Sequence, residues 1–300
     1  ARLPLLARGR YPEVTPDEVT PDEPPRPDRD ALTPLPVDVV SIQSQVVYGG
    51  VGNSVAVPTL QALGLNVVAV PTVLLSNVPH YDTLHGGPVP TEWFAGYLAD
   101  VERRRVLERA RAVLVGYLGP PDQTAVLVDW LGRVLHEHPH LQLVVDPVMG
   151  DHDVGVYVHP DLPGMLRDEI VPLAHGIAPN AFEFERIVGR AVTTFAETVA
   201  AARELLRTNL DWVVVTSAAP AEAPPGRTRV AVVTRDEAHL IDHELVATVA
   251  KGTGDLFTAT LVGGLLRGYS VRGAARAAAE RTVDVLKRTA ALGCGELVLG

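Results

Sequence analysis

A three-layer α/β fold, with a central and mostly parallel sheet and helices on both faces, is predicted by three observations. From Val37 onward, short β-branched runs alternate with segments of helical length, which is the order expected for a layered α/β domain. Several of these runs are almost continuously apolar, as parallel strands covered on both faces are. Residues 229–234 and 239–241 are separated by four residues, which predicts a small antiparallel edge on the sheet.

The elements are assigned in chain order from these runs and from the spacing between them. The helix that begins at residue 180 carries a local signal, because Asn180 and Glu183 have the spacing of a capping box. The helix over residues 255–267 is expected to be largely buried, since apolar residues cover most of its surface. Apolar runs predict strands at residues 37–42, 67–71, 112–116, 141–146, 176–178 and 212–216. Besides the helix over residues 255–267, the predicted helices lie at about residues 52–63, 92–109, 124–137, 161–169, 180–188 and 196–207.

The first 36 residues differ in composition from the rest of the chain. They hold nine of the 25 prolines, together with seven acidic residues and five arginines, and few periodic apolar positions. A segment of this kind lacks the apolar surface that a packed core requires. We therefore expect residues 1–36 to form a disordered, proline-rich extension and residues 37–300 to form the folded domain.

The charge and composition of the chain argue against several classes of function. A net charge of −10 without a basic stripe makes a nucleic-acid partner unlikely on electrostatic grounds. The longest apolar runs have the length of strands and are interrupted by proline, glycine or charge, so no membrane span is predicted. The single cysteine, Cys294, allows no internal disulfide and fits a reducing, cytoplasmic location.

The motif with the clearest chemistry is Gly252-Thr253-Gly254-Asp255, at the start of the last predicted helix. Gly252 and Gly254 permit close backbone approaches, and the unpaired N–H groups of a first helical turn bind anions. A carboxylate would repel a resting phosphate, but Asp255 can accept the proton of a hydroxyl that attacks the phosphate. The motif therefore indicates phosphoryl transfer to an alcohol. Taken alone, it also fits a helix start capped by Asp255.

Other polar residues are expected at the edge formed by the carboxyl ends of the strands, where open parallel sheets bind ligands. Ser44 follows the first predicted strand and Tyr117 follows the third. Asp146 closes the fourth, and residues 180–183 follow the fifth. Their convergence on one edge supports a single site more strongly than any one motif does.

Two interpretations are open for the carboxylates at this edge. Asp146 either is a turn residue before Pro147 or holds a metal ion near phosphate groups, directly or through water. Glu183 either completes a capping box with Asn180 or orients magnesium-bound water while Asn180 fixes the loop.

The segment from Ser41 to Ser54 joins the first strand to a helix through a glycine-rich turn. It lacks a Walker-type phosphate loop, so any nucleotide site here is of another kind. Ser44 and Tyr48 can form hydrogen bonds to a small polar ring. The segment can equally be a tight connection in which Asn53 and Ser54 cap the helix.

Taken together, these segments resemble the pyridoxal kinases of the ribokinase-like superfamily, in the same order along residues 37 to about 290. The shared motifs of the superfamily are the glycine-rich motif ending at Asp255 and the Asn180/Glu183 pair. The other matching segments are Ser41-Ile42-Gln43-Ser44, Val46-Val47-Tyr48-Gly49, Gly52-Asn53-Ser54, Ser76-Asn77, Gly116-Tyr117-Leu118-Gly119 and Asp146-Pro147-Val148-Met149-Gly150.

The resemblance implies a ribokinase-like fold and a kinase that uses ATP and Mg2+ to phosphorylate the 5′-hydroxyl of pyridoxal, usually as a homodimer. It implies that Asp255 is the base and that Gly252, Thr253 and Gly254 form the anion hole. Ser44 and Tyr117 would line the pyridoxal pocket, with His80 as a further candidate. Tyr48 is also assigned to this pocket, because its hydroxyl group can form a hydrogen bond to a small polar ring. The residues assigned to the nucleotide side are Asp146, Ala178, Asn180, Glu183 and Thr216, of which Asp146 and Glu183 would face the metal.

Two departures from the family pattern affect these expectations. Many relatives have His-Thr after Ser-Asn, whereas here Ser76-Asn77 is followed by Val78-Pro79-His80-Tyr81. An atypical preference among pyridoxal, pyridoxine and pyridoxamine is therefore expected. Many relatives also carry a lysine that reaches the nucleotide, at the position that Thr216 occupies in this chain.

Two other functions fit the same residues. One is a kinase for a related hydroxymethyl heterocycle, such as the pyrimidine precursor of thiamine. The other is a non-catalytic vitamin-binding protein that kept the fold; the missing lysine favours it and the presence of Asp255 argues against it.

Overall fold

The fold is built on a sheet of nine strands, accompanied by a separate two-stranded hairpin. The computed structural model describes residues 33–300, and Pro34–Gly300 form one compact unit. Most of the segment expected to be a disordered extension, residues 1–32, lies outside the described residues. The strands are β1 (Val39–Tyr48), β2 (Val67–Asn77), β3 (Gly86–Pro88), β4 (Ala112–Val115), β5 (Gln142–Val145), β6 (Gly150–Asp151), β7 (Gly155–Val156), β8 (Gly176–Ile177), β9 (Trp212–Thr216), β10 (Arg227–Thr234) and β11 (Ala238–Glu244).

The large sheet has the order β11-β10-β9-β8-β5-β4-β1-β2-β3. Its six inner strands, from β9 to β2, pair in parallel. The edge strand β3 is antiparallel to β2, and β10 and β11 extend the other edge as an antiparallel pair. The predicted mostly parallel sheet with a small antiparallel edge is therefore confirmed.

Helices cover both faces of this sheet and make it the middle of three layers. Strand β4 shows the division, because Val113 and Val115 belong to one apolar core and Ala112 and Leu114 to the other, as the two-residue period of a strand requires. The first core is closed by α2 to α6, and the second by α1, α7 and α8. The helices are α1 (Asn53–Ala62), α2 (Thr91–Arg103), α3 (Pro121–Glu137), α4 (Leu162–Met165), α5 (Ala181–Val188), α6 (Phe195–Leu205), α7 (Thr253–Leu266) and α8 (Val271–Ala291).

Strand β1 is longer than the sequence pattern predicts. It continues past Ile42 to Tyr48, where it still pairs with Asn77 of β2. Ser44 therefore lies inside β1, and the expectation that it follows the strand is wrong. The polar residues Gln43 and Ser44 resemble a strand end in sequence, but the strand continues through them because Gln43 and Gln45 pair with β2.

Several further boundaries differ from the expectations. The helix predicted over residues 92–109 ends at Arg103, because Arg105 adopts a left-handed conformation (φ 59°) before a short 3-10 turn. The helix predicted over residues 161–169 consists of α4 followed by a π-helical turn at Leu166–Ile170. Strands β3, β6 and β7 are too short to give a sequence pattern, and α8 was not among the predicted helices.

Among residues 33–300, no helix is both long enough and apolar enough to cross a membrane.

Candidate active site

The start of α7 forms a cradle of backbone N–H groups at the carboxyl edge of the sheet. Gly252 precedes the helix with φ 86°, and a Cβ atom there would lie 1.9 Å from the carbonyl oxygen of Gly50. Glycine is thus required by both conformation and space. The first intrahelical bond runs from Leu256 N to Gly252 O at 2.9 Å. The N–H groups of Thr253 and Gly254 come before it and are available to an anion.

Asp255 lies in the first turn of α7 beside this cradle. Gly252 occupies the N-cap position without a side-chain cap, so the interpretation of Asp255 as the cap is wrong. Its carboxylate accepts a hydrogen bond from the backbone N–H of Gly52, and part of its surface stays accessible. Burial raises the pKa of Asp255 above its ordinary value, and the Gly52 bond offsets part of this rise. A raised pKa makes a carboxylate a better proton acceptor.

Asp146 follows β5 and faces the same turn of α7. Its Oδ2 atom accepts a hydrogen bond from Thr258 Oγ1 at 2.9 Å, and a Cβ atom at Gly254 would lie 3.6 Å from the same oxygen. The side chain is 6% exposed. Burial, followed by repulsion from Glu183 and Asp255, raises the pKa of Asp146 well above its ordinary value. The side chain therefore belongs to a cluster with the other two carboxylates, beyond any role in the turn at Pro147.

Glu183 forms the capping box of α5 and also belongs to this carboxylate cluster. Its Oε2 accepts from Asn180 N at 2.9 Å, its Oε1 accepts from Met149 N at 3.0 Å, and the Asn180 side chain accepts from Glu183 N. Asn180 Nδ2 also donates to Gly150 O at 2.9 Å. The capping interpretation is thus confirmed. Burial raises the pKa of Glu183 to about 7 despite these backbone donors.

The raised pKa values predict that the metal-free protein loses stability as the pH rises. A carboxyl group with a higher pKa in the folded than in the unfolded state binds more protons when folded, so its contribution falls with pH. For Glu183 the pH window runs from its ordinary pKa of 4.5 to about 7, and the loss of stability is on the order of 3 kcal/mol. Urea unfolding in EDTA at pH 5 and pH 8 measures this loss of stability. In Asp146→Asn the free energy of unfolding should depend less on pH than in the parent. If the free energy of unfolding changed equally with pH in the parent and in Asp146→Asn, the prediction would be contradicted.

The residues present fit a divalent cation held partly by phosphate and water. Within residues 33–300, no three His, Cys, Asp or Glu side chains form a ready-made ligand cluster. Both oxygens of Glu183 already accept backbone hydrogen bonds. Among residues 33–300, the only side chain that donates to the Asp146 carboxylate is Thr258, on Oδ2. Magnesium commonly binds one or two carboxylates and retains several waters beside substrate phosphates. Asp146 is therefore the stronger candidate for direct contact, and Glu183 for contact through water.

Ser44 lies in β1 at an irregularity of the sheet. The register with β2 shifts between Gln43 and Gln45, and Ser44 is 6% exposed. Within the described residues, no hydrogen bond uses its hydroxyl group. A Cβ atom at Gly52 would lie 2.1 Å from Ser44 O, so Ser44 is packed directly beside the residue that donates to Asp255.

The residues expected to cap α1 bind β1 instead. Asn53 Nδ2 donates to Gln43 O at 3.1 Å and Ser54 Oγ donates to Val46 O at 2.8 Å, while α1 has no side-chain cap. The capping interpretation of Asn53 and Ser54 is therefore wrong. Their side chains fasten the glycine-rich turn to β1.

The aromatic candidates differ in how deeply they are buried. Tyr117 follows β4, and its backbone oxygen accepts from Thr72 Oγ1 at 2.7 Å; burial raises the pKa of its phenol. Tyr48 ends β1 with 62% of its surface exposed, and its ring lies 5.9 Å from that of Tyr81. His80 stacks on Tyr81 with 4.3 Å between ring centroids. Tyr48 and His80 thus belong to one surface cluster.

The residues assigned to the nucleotide come together on β8 and β9. Thr216 N donates to Pro179 O at 2.9 Å, and Thr216 forms an isolated parallel bridge with Asn180. Ala178 is buried at 4% exposure just before this bridge. The next residue after β9, Ser217, has φ 52°, which is strained for serine.

Sequence reasoning missed three residues near these groups. Thr258 lies one helical turn after Asp255 and holds Asp146, and the i, i+3 spacing is a signal that can reveal it. Burial, together with the charges of Glu183, Asp146 and Asp255, raises the pKa of Tyr157. Glu296 accepts from Gly50 N at 3.0 Å. No local pattern marks Tyr157 or Glu296, because only the tertiary fold brings them to the site.

A parallel α/β sheet that presents a helix-start anion cradle beside a carboxylate of raised pKa defines a small-molecule kinase with a ribokinase-like fold. The family model for phosphomethylpyrimidine kinase matches residues 48–299. The chain belongs to the pyridoxal kinase family of the ribokinase-like superfamily.

The relatives give the degree of similarity. A pyridoxine/pyridoxal/pyridoxamine kinase of Bordetella bronchiseptica is 55% identical, over 91% of this chain and 96% of the relative. A pyridoxal kinase of Deinococcus radiodurans is 37% identical, over 90% and 93% of the two chains. The structure of Leishmania donovani pyridoxal kinase in complex with ADP and pyridoxamine has a TM-score of 0.79 at 26% identity, covering 87% of this chain and 90% of that one.

Proposed function

We propose that this protein is an ATP-dependent pyridoxal kinase that phosphorylates the 5′-hydroxyl of pyridoxal. The observation that carries the proposal is the placement of Asp255 beside the N–H cradle of α7, since a base and an anion site must meet where a hydroxyl attacks a phosphate. The relatives named above act on B6 vitamers by their names, and a relative was solved with ADP. These names support both the acceptor and the nucleotide.

The chemistry of the site follows from its residues. Asp255 accepts the proton of the 5′-hydroxyl as the oxygen attacks the γ-phosphorus of ATP, and ADP leaves with the electrons of the broken P–O bond. The N–H groups of Thr253 and Gly254 stabilise the charge on the transferring phosphoryl group. Mg2+, when bound near Asp146 and Glu183, would neutralise phosphate charge. On the nucleotide side, Ala178, Asn180 and Thr216 are the proposed contacts.

Ser44, Tyr48, His80 and Tyr117 are proposed to line the vitamin pocket. Ser44 is the best supported, because its hydroxyl forms no hydrogen bond within residues 33–300 and it packs beside Gly52. Tyr48 and His80 lie in the surface cluster with Tyr81, which is suited to covering a bound ring.

Removal of the Ser44 hydroxyl should mainly weaken vitamin binding. Ser44→Ala is expected to raise KM for pyridoxal about fivefold, the effect of one neutral hydrogen bond, with kcat nearly unchanged because the contact is equal in ground and transition states. Steady-state kinetics measure both constants. Ser41→Ala is the control, since Ser41 is buried on the same strand and accepts from Gln43 Nε2. A kcat loss that exceeds the KM change would contradict the binding role.

The phosphomethylpyrimidine name of the matching family makes the hydroxymethylpyrimidine kinase the second candidate. Competition between pyridoxal, pyridoxine, pyridoxamine and hydroxymethylpyrimidine, with ATP in excess, separates the two. We expect pyridoxal to have a higher kcat/KM than the pyrimidine, with an atypical order among the B6 vitamers. A higher kcat/KM for the pyrimidine would replace the proposed function by the second candidate. Binding of pyridoxal without turnover would favour a non-catalytic vitamin-binding protein.

A homodimer and a cytoplasmic location are further parts of the proposal. The family resemblance supports the dimer, which sedimentation equilibrium tests. Cys294 is exposed and unpaired, and this supports a reducing compartment.

The segment before the sheet is proposed to be dispensable. A truncated chain that begins at Val37 keeps Val37 itself, which is buried with 2% of its surface exposed. It lacks only the proline-rich, charged sequence before that residue. We expect it to retain a cooperative thermal melt and pyridoxal turnover within about twofold of the full chain. A large loss of either would show that residues 1–36 take part in folding or catalysis.

A further inference from the structure

The C-terminal segment after α8 brings one carboxylate, Glu296, to the side of the site where the vitamin is expected. The segment is fixed by packing, because Leu297 is 9% exposed in a small apolar cluster with Val55 and Leu256. Val298 N also donates to Thr289 Oγ1 at 3.0 Å. The position of Glu296 is therefore set by the neighbouring residues rather than by a free chain end.

The Glu296 side chain is largely buried, and its two oxygens have different surroundings. Oε2 accepts from Gly50 N at 3.0 Å, and the side chain is 13% exposed. Oε1 is buried and has no hydrogen-bond partner among the described residues; His80 Nε2 lies 3.5 Å from it. A Cβ atom at Gly49 would lie 2.6 Å from Oε2, so the loop packs directly against the carboxylate. A buried carboxylate with this little compensation is costly to the fold, which points to a role beyond stability.

Glu296 connects two segments that reach the proposed active site. The first is the loop 49–52, whose Gly50 carbonyl packs against Gly252 and whose Gly52 N–H donates to Asp255. The second is the segment 76–81, which carries His80 and Tyr81. Hydrogen bonding to Glu296 is the main cause that raises the pKa of Tyr81 to about 12. One carboxylate thus touches both the backbone beside the catalytic base and the aromatic cluster.

We propose that Glu296 is a positioning residue that holds the loop 49–52 and the segment 76–81 together over the vitamin pocket. It acts through Gly50 on one side and through His80 and Tyr81 on the other, and its effect is on the KM for the vitamin. The inference rests on the proposed pyridoxal kinase function, since the pocket is defined by it. The chain departs from the family pattern directly after Ser76-Asn77, in the segment that carries His80 and Tyr81, so these contacts are expected to contribute to the vitamer preference.

The test substitutes glutamine, which has the same shape but no charge. The amide oxygen of Glu296→Gln can still accept from Gly50 N, whereas the amide nitrogen cannot accept from Tyr81. We expect KM for pyridoxal to rise about tenfold, as for a lost hydrogen bond to a charged group, with kcat and KM for ATP within about twofold. Glu244→Gln is the matched control, because Glu244 forms an exposed ion pair with Lys287. An unchanged KM in Glu296→Gln, with an active parent enzyme, would overturn the inference.

A spectroscopic measurement distinguishes a positioning role of Glu296 from a role that only fixes the C-terminal segment. The ultraviolet titration curve of Tyr81→Phe, subtracted from that of the parent protein, isolates the ionisation of the Tyr81 phenol. The same difference is then measured in proteins that also carry Glu296→Gln. There the pKa of Tyr81 should be lower by about one unit, toward the ordinary value near 10. A phenol that still titrates near 12 in Glu296→Gln would overturn the inference. This titration needs no turnover, so a parent that fails to phosphorylate pyridoxal refutes the proposed function while the contact of Glu296 is still tested.

Discussion

Asp255→Asn is expected to reduce kcat for pyridoxal phosphorylation at least about a hundredfold, the lower range for a positioned acid–base group. The amide keeps the shape of the carboxylate and can still accept the Gly52 N–H bond, but it cannot take the proton of the attacking hydroxyl. ATP binding should be nearly unchanged, because the N–H groups of Thr253 and Gly254 are not altered. Steady-state turnover and an ATP titration by calorimetry measure the two effects.

The stability of this variant provides an internal check. Since burial raises the pKa of Asp255, the ionised carboxylate costs folding free energy at neutral pH, and Asp255→Asn should melt at the same temperature or higher. The control is Asp284→Asn on the exposed face of α8, which should leave both turnover and melting unchanged. Near-normal turnover of Asp255→Asn would remove Asp255 from the role of base.

Asp146→Asn is expected to have the second largest effect, on the dependence of activity on magnesium. Asp146 is the proposed direct ligand of the cation, and the repulsion from Glu183 and Asp255 that contributes to its raised pKa would be relieved by a divalent ion. We expect the magnesium concentration for half-maximal turnover to rise at least about tenfold, the lower range for loss of a group that orients a metal. Excess EDTA should abolish turnover of the parent enzyme.

The controls for Asp146 separate metal binding from packing. Thr258→Val removes the hydroxyl that donates to Asp146 Oδ2 and should shift the magnesium dependence less than Asp146→Asn does. The double variant Asp146→Ala/Glu183→Ala should lose activity at every magnesium concentration. Full activity of the parent in EDTA, or of the double variant in magnesium, would contradict a metal role for these carboxylates.

The sequence predicts the layers of the fold because its main signals are local. Buried parallel strands are continuous apolar runs, and the capping box at Asn180 and Glu183 is formed as its spacing indicates. The end of β1 could not be predicted, because Gln43 and Ser44 are polar and the strand is continued by the pairing of Gln43 and Gln45 with β2. The bonds of Asn53 and Ser54 to β1 likewise depend on a tertiary contact.

The residues of the candidate site likewise fall into those that local sequence predicts and those that only the tertiary structure reveals. Asp255 and its glycines were predictable as a candidate site, because glycines at a helix start permit an anion cradle and a carboxylate beside that cradle suits a base. Asp146 and Glu183 were recognised as carboxylates at the correct edge, but their packing against Thr258 and against backbone N–H groups required the structure. Glu296 was not predictable, since it lies 246 residues from Gly50, the backbone it holds.

The most direct test of the central claim is a single assay of the product. Purified protein is incubated with ATP, magnesium and either pyridoxal or 5′-deoxypyridoxal, and ADP release is compared with formation of phosphorylated vitamin by phosphorus NMR. The account predicts equal amounts of ADP and pyridoxal 5′-phosphate with pyridoxal, and neither above background with the 5′-deoxy compound. ADP release that does not depend on pyridoxal, or phosphorylation at another position of the ring, would contradict it.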